Sequence, residues 1–348
     1  MRAPLAVAVV AALAASAAAQ THIMIPDSSG DRIMLFDMSG TLVDQNWIPD
    51  GAGVGYDWQT PKDVQQIGDE IWVTDQVSDS IARFTVANPP VHIATISGGL
   101  DNIRGMGRVG NKVYVSNSGT GNGAPGQAVV VYNLDGSFDS LFAAPDPFDC
   151  TDFNGNVLVA DIAGDDLRLF DPAGNFLSVF HASDGVSGID FPEQIVVANT
   201  GPAGAQEVWS AGFTAPAGIY RYDNQGTQLN YYAVSTGPRG MAFLSTGEVL
   251  FTESTSVKAF DPATGAVRTI LSGGIAPQFP GLVTLAPSCD PDVNCDGSVN
   301  GFDIEATEQA VNGDFTNFCL PSADLNGDGS ENGFDIETEE QRVNGEPC

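Results

Sequence analysis

Basic side chains are scarce in this 348-residue chain: 13 Lys+Arg stand against 44 Asp+Glu, a formal net charge of -31. Such a field repels phosphate backbones and anionic headgroups, which excludes nucleic-acid binding as a function class. Histidine is rarer still, with only His22, His92 and His181. There is no His-Glu-x-x-His, no Gly-x-Ser-x-Gly and no phosphate-cradling loop, so zinc-protease, nucleophile-elbow and P-loop chemistries have no sequence basis. Beyond the N-terminus no run approaches the ~18–20 uninterrupted apolar residues of a membrane-spanning helix, and none is expected. Cysteine is nearly absent before residue 289, where Cys150 stands alone. What remains is 43% hydrophobic residues with 40 Gly and 21 Pro, a turn-rich globular composition that excludes collagen, coiled coil and a wholly disordered chain.

The first residues have the form of a secretory leader. Arg2 precedes an apolar run from Leu5 to Leu13, followed by the small residues Ala15, Ser16, Ala17, Ala18 and Ala19. The pattern predicts a signal peptide over 1–19, with Gln20 as the mature N-terminus and a secreted, extracellular or cell-surface protein in which disulfides are allowed. Cys289, Cys295, Cys319 and Cys348 crowd the last 60 residues and suggest two bridges, with three pairings open. Cys150 reads as a buried thiol, a long-range bridge being the alternative.

Between Thr21 and Pro287 one phrase recurs six times: an apolar strand ending in a small polar or acidic residue, a turn, a second apolar strand ending in an aromatic, then a Gly turn. The first endings are Asp27, Asp75, Asn117, Asp161, Asn199 and Glu253, and the second are Phe36, Phe84, Tyr132, Phe170, Tyr222 and Phe260. A repeat of roughly 44 residues, built of short strands that cannot bury their faces alone, predicts a mostly β fold: a six-bladed β-propeller over 20–287. Pro280 to Leu285 reads as an inner strand without outer strands after it, and His22 to Ile25 begins without an inner strand before it. The two ends are expected to complete one blade together.

Pro238-Arg239-Gly240-Met241-Ala242 and Phe170-Asp171-Pro172-Ala173-Gly174 resemble the phrase of the NHL-repeat and gluconolactonase-like six-bladed propellers. That resemblance implies the fold, and its members include lactonases, lyases, receptor ectodomains and binding platforms. Aligning the rim where inner strands begin places Asp63, Gly105, Cys150, Gly188, Gly240 and Gly281 in one slot. Lys62, Arg104, Asp149, Ser187, Arg239 and Pro280 fall just before it. Lys62, Arg104 and Arg239 thus share one phase of an acidic protein, which suggests a mouth for an anionic glycan or a small carboxylate. The alternative is that they pair with Asp101, Asp149, Asp152 or Asp190. Asp149, Asp152, Asp190 and Glu193 could instead gather around a cation, while none of the three histidines lies in the rim phase.

The strongest chemical signal follows Cys289. Asp292, Asn294, Asp296, Ser298, Asn300 and Asp303 occupy positions 1, 3, 5, 7, 9 and 12 of a twelve-residue loop with Gly297 at position 6. Asp324, Asn326, Asp328, Ser330, Asn332 and Asp335 repeat it 32 residues later. Oxygen donors at these positions, the seventh through its backbone carbonyl, are what a hard cation such as calcium requires, and two ions are expected. Helical patterns run over Ile304 to Val311 and Ile336 to Val343, each stopped by Asn-Gly. The arrangement resembles the dockerin module, which implies attachment to a cohesin-like partner. Positions 10 and 11, which in that family help choose the partner, are Gly301-Phe302 and Gly333-Phe334. Residues three and six after each isoleucine, apolar in the family, are Thr307 and Ala310 in one copy and Glu339 and Arg342 in the other.

Residues 288–348 are accordingly read as a small α-helical, calcium-binding, dockerin-like domain. It carries 15 Asp+Glu and one Arg from Cys289 onward, so cations and disulfides are expected to hold it together. The reading favoured by the sequence is a secreted propeller recognition platform tethered through that module to a protein partner or the cell envelope. A non-enzymatic role is preferred to its alternative, a secreted polysaccharide- or lactone-acting hydrolase or lyase with the propeller as catalytic domain.

Overall fold

The computed structural model describes residues 19–51, 53, 55–285, 291–320, 322–326 and 330–345. The leader expected over 1–19 lies outside the described residues except for its last position. One compact unit spans Thr21–Thr284, and the C-terminal residues from Leu285 belong to another.

The first unit is built from short strands in sequence order. The first blade takes β1 (Gln20–Asp27), β2 (Arg32–Asp37) and β3 (Leu42–Ile48), and the second takes β4 (Pro61–Ile67), β5 (Glu70–Asp75), β6 (Ser80–Thr85) and β7 (His92–Ser97). Next come β8 (Ile103–Val109), β9 (Lys112–Asn117), β10 (Ala128–Asn133) and β11 (Phe138–Ala143), then β12 (Pro147–Phe153), β13 (Asn156–Asp161), β14 (Asp166–Phe170) and β15 (Phe176–His181). The fifth blade is β16 (Pro192–Ala198), β17 (Glu207–Gly212), β18 (Gly218–Tyr222) and β19 (Gln228–Tyr232). The sixth is β20 (Pro238–Phe243), β21 (Val249–Glu253), β22 (Ser256–Phe260) and β23 (Val267–Ser272), and β24 (Gly281–Leu285) comes last. These strands make six four-stranded sheets, five in simple sequence order and one in the order β24-β1-β2-β3. The final strand is therefore the inner strand of the first blade, as the sequence pattern implied.

Hydrophobic burial explains why the blades form a ring. Leu158, Leu167 and Phe153 of the fourth blade pack with Ile195, Val208 and Tyr222 of the fifth, while Ile23 and Phe36 of the first pack with Leu250 and Val257 of the sixth. Each such cluster spans two neighbouring blades, so an isolated blade would expose both faces. The aromatics that close the third strands, including Phe36, Phe84, Tyr222 and Phe260, are fully buried. Each stabilises its blade-to-blade seam by about 2–3 kcal/mol relative to exposure.

Three of the residues closing the second strands act as tethers. Asp75 accepts hydrogen bonds from the Gln59 and Thr60 amides, Asp27 from Ala276, and Asn117 from Asp101. In each case the side chain holds the segment that leads into its own inner strand. The fifth blade departs from the sequence alignment. Its inner strand β16 already contains Ile195 to Ala198, so Asn199 follows the inner strand and Gly212 takes the closing position. An inserted turn at 199–206 had made the inner strand look like the second one.

In the C-terminal unit, α1 (Gly301–Val311) and α2 (Gly333–Val343) pack over a small core of Val293, Ala306, Ala310, Phe318, Ala323 and Leu325. Both helices start three residues before the isoleucine that opened the expected pattern. Asn300 and Asn332 cap them, accepting from the Phe302 and Phe334 amides, while Asp303 and Asp335 accept from the amides of those same asparagines. Thr307, Ala310, Glu339 and Arg342 are all buried. Arg342 donates through Nη2 to the Leu325 carbonyl at 2.7 Å, so the polar residues in these apolar positions serve the interior.

Candidate functional site

At the start of five inner strands the ladder slips by one residue: between Pro61 and Asp63, Ile103 and Met106, Pro147 and Asp149, Pro192 and Ile195, and Pro238 and Gly240. A bulge re-aims the side chain it frees from the pleat. Those side chains are Lys62, Arg104, Phe148, Glu193 and Arg239. The closing blade adds Phe279, whose amide donates to the Lys62 carbonyl at 3.0 Å.

Six residues from six blades thereby meet. Lys62 Nζ donates to Gln278 Oε1 at 2.9 Å and to Glu193 Oε2 at 3.4 Å, and lies over the rings of Phe279 and Phe148 at 4.5 and 4.9 Å. Arg239 reaches the other oxygen of Glu193 at 3.3 Å. Arg104 pairs with Asp146 at 3.0 Å and stacks on Phe148 at 4.5 Å. The three bases that the sequence placed in one phase are neighbours, but their acidic partners are Glu193 and Asp146, not Asp101, Asp149, Asp152 or Asp190. Lys62 is 3% exposed, whereas the Arg239 side chain keeps 25% of its surface open. Burial holds the Lys62 ammonium down to about 8 against the pull of Glu193, with Arg239 and Arg104 adding to the depression.

One residue further along, the blades lock laterally. Asp63 accepts from the Met106 amide and Asp149 from the Ile195 amide, both at 2.7 Å, and Gln194 accepts from Met241 at 2.8 Å. Their neighbours in the ring have to be glycine. A Cβ on Gly105 would fall 2.1 Å from Asp149 Oδ1, and one on Gly240 would fall 2.5 Å from Gln194 Oε1. Burial pushes Asp63 up to about 7, and burial together with the Asp63 charge pushes Asp149 well up. Asp149 and Gln194, not Cys150 and Gly188, are thus the residues in phase with Asp63. Cys150 is a free, buried thiol whose Sγ donates to the Tyr114 carbonyl at 3.0 Å.

The suggested cation group of Asp149, Asp152, Asp190 and Glu193 does not assemble. Glu193 is held by two bases, Asp190 lies against Asp165, and Asp152 accepts from Gly155 at the far end of β12. Sequence reasoning missed Phe148, Phe279 and the place of Glu193 in the ring. A signal for two of them was present: a proline stands immediately before Lys62, Phe148, Glu193 and Arg239 alike.

In the C-terminal unit the first loop is wound around its own side chains. Asp292 accepts from the Asp296 and Gly297 amides, Asn294 Oδ1 accepts from Asp296, Asp296 Oδ1 accepts from Ser298, and Asp303 accepts from Asn294 and Asn300. In the second, Asp335 accepts from Leu325, Asn326 and Asn332. Asp328 lies outside the described residues. Among the described residues no three His, Cys, Asp or Glu side chains gather as a metal-holding group. The loop's donors, however, are carboxylate, amide and carbonyl oxygens held by one turn of backbone, a set that fits a hard, oxygen-seeking cation. Asp292, Asn294, Asp296, the Ser298 carbonyl and Asp303 would hold it in the first loop. Cys295 is bridged to Cys319, one of the pairings left open, while Cys289 and Cys348 lie outside the described residues.

Residues 290–344 match the Dockerin type I domain. No curated protein matches the chain. Among solved structures, one from a nidogen/laminin complex is 13% identical with a TM-score of 0.57, covering 76% of this chain and 98% of that one. A streptogramin B lyase structure is 14% identical with a TM-score of 0.51, covering 78% and 89%. At such identities the likeness speaks for the fold alone. No described helix is long and apolar enough to cross a membrane. The chain is a six-bladed β-propeller followed, at residues 290–344, by a segment that matches the dockerin type I domain.

Proposed function

We propose that this is an exported recognition protein whose C-terminal module folds around two calcium ions and docks onto a cohesin-like protein or the cell envelope, presenting the propeller as a binding platform. The observation that carries the reading is the duplicated oxygen-donor loop, each copy feeding a capped helix, in a segment that matches the dockerin type I domain. Phe302 and Phe334, 66% and 58% exposed, occupy equivalent places in the first turns of the two helices and offer apolar anchors to such a partner. Titrating the calcium-loaded chain against a panel of cohesins tests this. Binding to at least one member is expected, lost with chelator and weakened at least ~10-fold by Phe302→Ala with Phe334→Ala. A calcium-loaded chain that binds none of them would contradict the docking role.

For the propeller, we propose that the charged ring receives an anionic glycan or small carboxylate through its open edge. Lys62 is too buried to touch such a ligand and Arg104 is itself buried against Asp146, so the first contact falls to Arg239, with Arg104 reached behind it; their guanidinium groups suit paired hydrogen bonds to carboxylate. A uronate-containing oligosaccharide is expected to bind more weakly as salt rises, and not to bind Arg104→Ala with Arg239→Ala. Unchanged affinity in that variant would remove the ring from recognition.

A further inference from the structure

We propose that the Cys295–Cys319 bridge sets the calcium affinity of the first loop, while the second loop binds without such help. The proposal rests on the reading that both loops take calcium. Cys295 is the fourth residue of its loop and has a φ of +56°, a left-handed conformation that a Cβ disfavours. The second loop carries Gly327 at the same position, a residue that enters this region freely. The sequence thus puts a bridged cysteine in one copy at the position where the other has glycine.

The bridge closes a 24-residue span with a Cα–Cα distance of 6.1 Å. Around it, the Cys319 amide donates to the Val293 carbonyl at 2.9 Å and the Cys295 amide to the Asp292 carbonyl at 3.2 Å. Phe318, next to Cys319, is seated in the module's core. The cross-link thus fastens the segment bearing Asp292, Asn294 and Asp296 to a buried anchor. Thr316 to Cys319 face Asn294 and Asp296 across a groove of about 560 Å³. Without a cation the carboxylates of the loop repel one another and favour an open chain. A cross-link that removes open conformations lowers the ordering cost that calcium must offset.

Calorimetric titration of calcium into the full-length chain tests the proposal, with Asp324→Ala identifying which binding event belongs to the first loop. The parent is expected to show two events. Cys295→Ser with Cys319→Ser is expected to weaken the first-loop event by ~10-fold or more and to leave the second within ~2-fold, so that the second loop reports an intact module. Cys295→Gly with Cys319→Ser, which keeps the backbone at ease without the cross-link, is expected to recover only part of the loss. Unchanged affinities in the serine pair, loss of both sites together, or full recovery by glycine would each overturn the role of the bridge. A parent that takes up no calcium would instead overturn the calcium reading itself.

Discussion

Asp292→Ala combined with Asp324→Ala is expected to abolish calcium uptake by the full-length chain and with it the folding of the C-terminal module. Position 1 supplies a carboxylate to each loop, and in the first loop that carboxylate also accepts two backbone amides of its own turn. Its removal takes away an oxygen donor of the loop and the local winding at once. The module has little else to rely on, because its core consists of six mostly small residues while 15 acids repel one another around it. Calorimetric titration should give no binding heat in the double variant, and the helical signal contributed by α1 and α2 should be lost. Retention of both would place the ion elsewhere or remove it from the fold.

The second large effect is expected in the propeller's charged ring. Glu193→Gln leaves Lys62 and Arg239 without their shared carboxylate in a buried setting, and breaking such a pair costs about 3–5 kcal/mol. In a domain of this size that lowers the melting temperature by on the order of 10 °C. Lys62→Met should be close to neutral, because Glu193 keeps Arg239 and the methionine fills space between Phe148 and Phe279.

The pH dependence follows from the direction of the Lys62 shift. Its folded value of about 8 lies below the ordinary 10.5, so the stability linked to it is fully present above 10.5 and is lost as pH falls through 8. Relative to Lys62→Met, the parent is therefore expected to gain up to about 3 kcal/mol between pH 8 and 10.5. Thermal unfolding of the two proteins across that range measures the difference. A flat difference would mean that Lys62 titrates normally and is not enclosed by the ring.

The blade count and the closure by β24 could be read from the sequence because each blade buries the same face in the same way, which imposes the same apolar and aromatic spacing six times. The phase of the fifth blade could not be read from that spacing. The insertion at 199–206 lies between its first two strands, and Ile195 to Ala198 is as apolar as any second strand. The ring was half legible for a related reason. Charge marks Lys62, Arg104 and Arg239, but Phe148 and Phe279 look like ordinary core; the proline before Phe148 is the sequence mark of its bulge, and Phe279 carries no such mark. In the C-terminal module twelve consecutive residues specify the turn of the loop alone, so the winding of the first loop by Asp292, Asn294 and Asp296 was legible in the sequence. The Cys295–Cys319 pairing was not, since it depends on how Phe318 returns to the core.

The central claim is that calcium folds the C-terminal module and only that module, each blade of the propeller being held by its neighbours without a metal. Differential scanning calorimetry of the full-length chain, with calcium and then with excess chelator, tests it most directly. Two transitions are expected in calcium, with the module's transition vanishing in chelator and the propeller's staying within ~2 °C. A propeller transition that shifts as far as the module's, or a module transition indifferent to chelator, would contradict the account.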